Sequence, residues 1–188
     1  DNNGIADNLD PHVVILLLPG GDNDETLNYV TLMLDSPVPG CNEFQSLQTY
    51  SQDDISIDSN YNYPYGLLSF ELKCNVDHVD VSLIFHDISA INSVNIRKYN
   101  ELSLIKFKDM SDVTKQLISL DSKPALKISY RIEDNGELDS CPEPGLICDP
   151  LGGGELRSHE IPVFGPYALL FLILAMFGFG RQALLKKK

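Results

Sequence analysis

The stretch His78-Val79-Asp80-Val81-Ser82-Leu83-Ile84-Phe85-His86 decides the fold of this chain. Its odd-numbered residues are all apolar, and polar residues stand at positions 78, 80, 82 and 86. Successive side chains of a β-strand point to opposite faces, so a period of two is typical of a strand with one buried face. We therefore predict a half-buried strand here.

The same period of two recurs in three other stretches, and turn residues separate them. These stretches are residues 30–35, 68–73 and 126–132. Several short strands with turns between them predict an all-β fold, an antiparallel β-sandwich-like domain.

Two further stretches are read differently. Residues 13–18 form an unbroken apolar run followed by Gly20-Gly21-Asp22-Asn23, which predicts a strand covered on both faces and then a turn. Residues 110–120 permit a short helix.

The composition of the chain changes after Pro150, where Leu151-Gly152-Gly153-Gly154 predicts a flexible spacer. We therefore predict four parts. They are an Asp-rich remnant of a calcium-binding repeat at residues 1–11, the sandwich domain at 12–150, a Gly-rich polar linker at 151–160 and a tail at 161–188.

The negative charge is concentrated ahead of the tail. All 27 acidic residues lie at or before Glu160, together with ten of the 14 basic residues, so residues 1–160 carry a net charge of −17. A body this acidic repels phosphate backbones, which excludes DNA and RNA as expected partners. Excess Asp suits calcium, although acidic surfaces also serve solubility alone.

The first eleven residues read as most of a calcium loop, in which oxygens at alternate positions converge around an obligatory glycine, here Gly4. The expected ligands are Asp1, Asn3, the carbonyl of Ile5, Asp7 and Asp10. The stretch resembles a thrombospondin type 3 repeat, and a first ligand two residues before Asp1 would complete it. A plain Asx-rich linker is the alternative.

A second, weaker calcium prediction concerns the turn at residues 133–139. Asp134 and Asp139 are its expected ligands, and Gly136 permits a positive φ. A solvated hairpin turn is an equally good interpretation of these residues.

Four cysteines occur without a CxxC pair or a zinc-finger spacing. They allow three disulfide connectivities, of which we favour Cys141 with Cys148 and Cys41 with Cys74. Export would place them in an oxidising compartment. The alternative is four small buried side chains or free thiols.

The tail begins with Ile161-Pro162, and residues 161–180 carry no charge. Arg181, Lys186, Lys187 and Lys188 follow, and under the positive-inside rule they would stay in the cytoplasm. We predict a single C-terminal hydrophobic, transmembrane helix, with a buried core helix as the alternative. The 14 residues between Pro166 and Arg181 span only about 21 Å as a helix, against about 30 Å of hydrocarbon. A helix extended to Leu185 would reach across if the Arg181 side chain snorkels to the interface.

Five short segments of the chain follow one another in a set order, and they are residues 63–70, Arg97-Lys98-Tyr99, residues 128–136, Asp139 and residues 145–150. Together these segments resemble the bacterial choice-of-anchor U domain. The chain departs from that family in having no Trp and in carrying the insertion from Cys141 to Cys148. The tail is similar to the IPTL-type relative of PEP-CTERM sorting signals, although Val163 and Phe164 stand where that type has Thr and Leu.

The resemblance implies a non-catalytic C-terminal module of an exported surface protein of a Gram-negative bacterium. It further implies a membrane-inserted sorting signal that a processing protease cleaves, with transient or permanent anchoring in the inner membrane. The chain lacks the GxSxG, HExxH and phosphate-loop signatures, so we expect no enzymatic activity. The alternative is an accessory or binding module of a secreted hydrolase or adhesin, with an unknown extracellular ligand.

The loop at the start of the sequence generates a first test. With the missing first ligand restored upstream, the chain should bind calcium in a calorimetric titration, and Asp7→Ala should abolish the heat because a carboxylate ligand is lost. Asn8→Ala, at a position with no predicted ligand, is the control. Equal heats for all three proteins would contradict the calcium loop.

Overall fold

A computed structural model describes residues 10, 12–19, 27–35, 40–100 and 107–157 of the chain. Within them the fold is all-β, and every strand pair is antiparallel. Two sheets pack face to face around one main core, so the predicted antiparallel β-sandwich is confirmed.

The first sheet has five strands in the order β1-β2-β6-β10-β9. Its strands are β1 (Val13–Pro19), β2 (Leu27–Leu34), β6 (His78–His86), β9 (Val113–Leu120) and β10 (Lys123–Glu133). The stretch that decides the fold is β6, at the centre of this sheet. It pairs with β2 on one side and with β10 on the other.

The second sheet has the order β3-β5-β11-β7-β8, and a two-residue strand, β4, also pairs with β11. Its strands are β3 (Cys41–Tyr50), β4 (Tyr61–Asn62), β5 (Leu67–Cys74), β7 (Asn95–Tyr99), β8 (Phe107–Asp109) and β11 (Leu146–Leu156). The last of them, β11, lies between β5 and β7, and so holds the middle of the sheet.

The core contains the apolar residues that the period of two selects. From the first sheet, Leu32, Val81, Leu83, Phe85, Leu126, Ile128 and Ile132 are buried. From the second sheet, the predicted Leu68, Phe70 and Leu72 meet them, together with Ile96, Ile147 and Leu151, which lie outside the stretches with a period of two. At about 25 cal/mol per Å² of apolar surface, burial of these side chains is the main stabilising contribution to the fold.

Two predictions about individual elements are wrong. Strand β1 is not covered on both faces, because it lies at an edge of the first sheet and leaves Ile15 59% and Leu17 42% exposed. Residues 113–120 form strand β9 rather than a helix. Their pattern is weak because β9 is the other edge strand and buries little on either face.

The predicted flexible linker also needs correction, because β11 continues through its first six residues to Leu156. Gly152 and Gly153 are buried within this strand, where side chains of other strands approach closely. A Cβ on Gly153 would lie 2.7 Å from the ring of Phe85, and one on Gly152 would lie 2.8 Å from Leu67 and Tyr63. These glycines therefore serve close packing, and the domain extends beyond residue 150.

The transmembrane helix of the predicted fold class is a further correction, because the described residues contain no such helix. Across the residues that the structure describes, the sole helical element is a three-residue 3-10 turn at Gln52–Asp54. No helix there is long and apolar enough to span a bilayer. The chain divides into the compact units Asp1–Arg157 and Ser158–Lys188, and the second unit, which contains the predicted tail helix, lies outside the described residues.

All four cysteines are disulfide-bonded, as predicted. Cys41 and Cys74 face each other in the register of β3 and β5, and their bridge lies at the edge of the core. Cys141 and Cys148 close a short loop that leads into β11. One bridge therefore joins two neighbouring strands, and the other fixes the entry of the central strand.

Gly153 provides a test of the packing around β11. Gly153→Ala should lower the free energy of unfolding by about 1–3 kcal/mol, because the new methyl group must displace Phe85 and Val94 in the core. Gly154→Ala is the matched control, since the three atoms nearest to its Cβ belong to Tyr61 and Tyr63 and lie 3.1 Å or more away. Urea unfolding followed by circular dichroism measures both. A Gly153→Ala protein as stable as the control would contradict this packing.

The two disulfides should differ in their contribution to stability. The bridged cysteines are 33 and 7 residues apart in sequence, so chain entropy predicts about 3.7 kcal/mol for Cys41–Cys74 and about 2.4 kcal/mol for Cys141–Cys148. We expect the double Cys→Ser variant at positions 41 and 74 to unfold at lower urea than the one at 141 and 148. The reverse order would show that native-state strain outweighs loop closure.

Candidate functional site

An open groove of about 780 Å³, which we call the outer groove, lies on the face of the second sheet turned away from the core. Outward positions of β3, β5, β11 and β7 provide its floor. Its lining includes the side chains of Gln48, Tyr50, Ser69, Glu71 and Tyr99. Side chains alternate between the two faces of β5. Because Leu68, Phe70 and Leu72 point to the core, Ser69 and Glu71 point into this groove.

Hydrogen bonds order the side chains along β3 and β5. Ser46 Oγ donates to Glu71 Oε2 at 2.8 Å, and the Tyr50 hydroxyl donates to Gln48 Oε1. At the other end of the groove, the ring of Tyr99 packs against Phe107 with 5.0 Å between centroids. The groove thus combines two tyrosine rings with a carboxylate and an amide.

The Cys141–Cys148 bridge forms part of the groove wall. Asp139 Oδ1 accepts hydrogen bonds from the backbone N–H groups of both Cys141 and Cys148, each at 2.9 Å. Its other oxygen accepts from the N–H of Asn135 at 3.0 Å. Asp139 therefore fastens the turn after β10 to the start of β11.

Asp134, the other predicted calcium ligand in this turn, also accepts hydrogen bonds that hold the turn in place. Its Oδ2 accepts from the N–H of Gly145 at 2.9 Å, and its Oδ1 accepts from the Asn135 side chain at 3.2 Å. In the part of the chain that the structure describes, no group of three or more His, Cys, Asp or Glu side chains is placed to hold a metal. Calcium binding at Asp134 and Asp139 stays a prediction.

Most other predicted site residues lie outside the described part of the chain. These are the calcium ligands Asp1, Asn3, Ile5 and Asp7, and the sorting-signal residues Ile161, Pro162, Arg181, Lys186, Lys187 and Lys188. Asp10 is described and is buried, and its Oδ1 accepts a hydrogen bond from the N–H of His12 at 2.8 Å.

A buried polar group, which we call the core triad, lies directly beneath the outer groove and consists of Lys98, Asp149 and Tyr130. Lys98 on β7 lies opposite Leu151 on β11, so Asp149, two residues earlier, faces the core beside it. Lys98 Nζ contacts Asp149 Oδ1, and the hydroxyl of Tyr130, from β10 of the facing sheet, donates to Asp149 Oδ2 at 2.8 Å. The core triad therefore joins the two sheets.

Burial dominates the electrostatics of the core triad. Asp149 is fully buried, and Lys98 and Tyr130 are 7% and 4% exposed. Loss of water raises the pKa of the Asp149 carboxyl group, and the nearby Lys98 and Tyr130 oppose that rise. The pKa of Tyr130 is raised well above its ordinary value, first by burial and then by the charge of Asp149.

A second buried group, which we call the arginine cluster, lies on the outward side of the same sheet. Arg97 Nε pairs with Asp58 Oδ2 at 2.9 Å, and Arg97 also pairs with Asp109. The hydroxyl of Tyr63 donates to Asp58 Oδ2 at 2.7 Å, and the guanidinium of Arg97 lies 4.1 Å from the ring centroid of Tyr61. The cluster fastens the segment before β5 onto β7.

The sequence predictions give no role to these buried charges, although the position of each charge in its strand is unusual. Lys98 is in phase with Ile96, and Asp149 is in phase with Ile147 and Leu151, so each charge stands at a position where the strand period demands an apolar side chain. A charge at such a position needs a buried partner. The pattern does not show which residue on another strand is that partner.

Comparisons with known proteins do not identify a family for this chain. No family model matches the chain, and neither a curated protein nor a solved structure is significantly similar to it. The resemblance to the choice-of-anchor U domain therefore stays a prediction.

The arginine cluster generates a test with a matched control. Asp58→Ala should cost about 3–5 kcal/mol of stability, because it leaves a buried guanidinium without its buried partner. Asp109→Ala removes another partner of Arg97, but the Asp109 side chain is 66% exposed, so its loss should cost about 0–1 kcal/mol. Urea unfolding followed by tyrosine fluorescence is suitable because the chain has no Trp. Equal costs would contradict the burial of this pair.

Proposed function

We propose that this chain supplies a non-catalytic structural module of an exported bacterial cell-surface protein. The observation that carries the proposal is the pair of disulfide bonds, which involves every cysteine of the chain. Disulfides persist in secreted and surface proteins and are rare in the reducing cytosol. Two of them in one sandwich domain favour an oxidising environment.

The interior of the domain supports a structural role. Among the described residues, every buried side-chain nitrogen or oxygen has a hydrogen-bond partner. In the core triad and the arginine cluster, the buried charges are paired with each other, so they contribute cohesion between strands and sheets. The high negative charge favours a soluble domain that stays apart from nucleic acid.

The oxidation state of the four cysteines in the cell tests whether the domain is exported. In the source bacterium, cells quenched in acid and denatured with a thiol-reactive reagent should yield protein with no modified cysteine until a reductant is added. A cytoplasmic protein with free cysteines is the control for reagent access. Modification of all four cysteines without reductant would overturn the proposal of export.

Surface exposure needs a separate measurement. On intact cells, a membrane-impermeant amine reagent should modify Lys123, whose side chain is 71% exposed, whereas Lys98 should stay unmodified because its side chain is 8% exposed. Modification of Lys123 only after cell lysis would place the domain inside the envelope and contradict a surface location.

The outer groove favours a second candidate function, a binding module for a hydroxyl-rich ligand such as a glycan. Aromatic rings pack against the C–H faces of such ligands, a carboxylate accepts hydrogen bonds from hydroxyls, and an amide both accepts and donates them. Tyr50 and Tyr99 supply the rings, and Glu71 and Gln48 supply the polar groups. A few convergent polar groups in a concave site are typical of ligand-binding grooves.

The second candidate is tested by screening immobilised glycans and titrating the best one by calorimetry. Glu71→Gln should weaken binding about tenfold or more, because one hydrogen bond to a charged group is worth about 1.5–3 kcal/mol. Glu133→Gln, an exposed residue at the end of β10, is the control. Absence of any bound glycan, or equal affinity of the Glu71→Gln protein, would exclude this function for the groove.

A further inference from the structure

We propose that Lys98 and Asp149 condense to an intramolecular isopeptide bond, a covalent amide that links β7 to β11 inside the domain. The two side chains are in contact in the core, and no strand or side chain separates them. The proposal goes beyond the function proposed above, since a structural module can fold with or without such a bond.

The strand geometry brings the two reacting groups together. Lys98 and Asp149 lie diagonally on the inner face of neighbouring strands, held there by the pairs between residues 95–98 and 151–154. Contact between Nζ and Oδ1 places the amine next to the carboxyl carbon, Cγ. Holding two reacting groups in such a geometry can raise their effective concentration to about 10⁵–10⁸ M.

Burial makes the ionic form of this pair costly. An ammonium and a carboxylate buried together lose their hydration, and their attraction often fails to repay that cost. Transfer of the proton from Lys98 to Asp149 removes both charges and produces the reactive forms, a neutral amine and a carboxylic acid. Burial raises the pKa of Asp149 in the direction that favours this transfer.

Tyr130 supplies the third group that the reaction needs. Its hydroxyl donates to Asp149 Oδ2 at 2.8 Å from the opposite sheet. Negative charge develops on a carboxyl oxygen when a nucleophile adds to the carbon, and a fixed hydrogen-bond donor stabilises it. Oδ2 then remains as the carbonyl oxygen of the amide, still bonded to Tyr130.

The reaction balances without an oxidant or a second substrate. The lone pair of Nζ attacks Cγ and forms the Nζ–Cγ bond, and the Cγ–Oδ1 bond breaks. Oδ1 leaves with its own proton and one proton from the amine, as one molecule of water. The product is a secondary amide that crosses 51 residues of sequence and cannot ionise.

The mass of the full chain tests the proposal. After complete reduction of the disulfides, the folded and matured protein should be lighter than its sequence by the mass of one water. Proteolysis should release a branched peptide that joins Lys98 to Asp149. A mass equal to that of the sequence, in protein shown to be folded by circular dichroism, would overturn the proposal and leave a buried ion pair.

Two variants make the result specific. Lys98→Arg retains a cation beside Asp149 but should retain the full mass of its sequence, because a guanidinium does not form this amide. Asp149→Asn should form the same amide with loss of ammonia instead of water, a difference that mass spectrometry resolves. Loss of water from Lys98→Arg would contradict the assignment to Lys98.

The role of Tyr130 has its own readout. Tyr130→Phe retains the ring in the core but removes the donor to Oδ2, so the bond should form about 10²-fold more slowly after refolding, followed by mass against time. The extent of folding, measured by circular dichroism over the same period, should match that of the unaltered protein. Bond formation at an unchanged rate would show that the Tyr130 hydroxyl takes no part in the reaction.

Discussion

The buried contact among Lys98, Asp149 and Tyr130 is the constraint on which the arrangement of the two sheets depends. A carboxyl group with no access to water must find its partners inside the protein, and here the partners come from a neighbouring strand and from the opposite sheet. Apolar packing alone would tolerate a slip of one sheet over the other far better than these hydrogen bonds do. The core triad therefore fixes the register of β11 against β7 and the position of β10 above them.

The arginine cluster extends this principle to the outer side of the sheet. Lys98 and Arg97 are adjacent residues of β7 whose side chains point to opposite faces, and each finds a buried carboxylate on its own side. One short strand thus carries two buried cations, one toward the facing sheet and one toward the segment that leads into β5. Such a strand tolerates no shift by one residue, because every charge would then face the wrong surroundings.

The sequence predicts the strands that have one apolar face and fails where a strand departs from that condition. Val79, Val81, Leu83 and Phe85 are all buried, as their period predicts. Strand β9 and the unbroken apolar run of β1 were misread because edge strands leave side chains exposed that a central strand would cover. Gly152-Gly153-Gly154 was misread as a linker, since composition alone cannot distinguish a flexible glycine from one that allows two strands to approach closely. The groove and the buried charges depend on which strands are neighbours, and residue periodicity carries no such information.

The central place of β11 has a consequence for the order in which the protein acquires its structure. Strands β5 and β7 are completed early along the chain, yet their shared partner spans residues 146 to 156. Until that segment is available, both strands have an unpaired edge, and Phe70 and Ile96 lack the strand that lies between them. Contacts that connect residues so far apart in sequence form slowly. The second sheet can therefore be completed only after residues 146 to 156 have been synthesised.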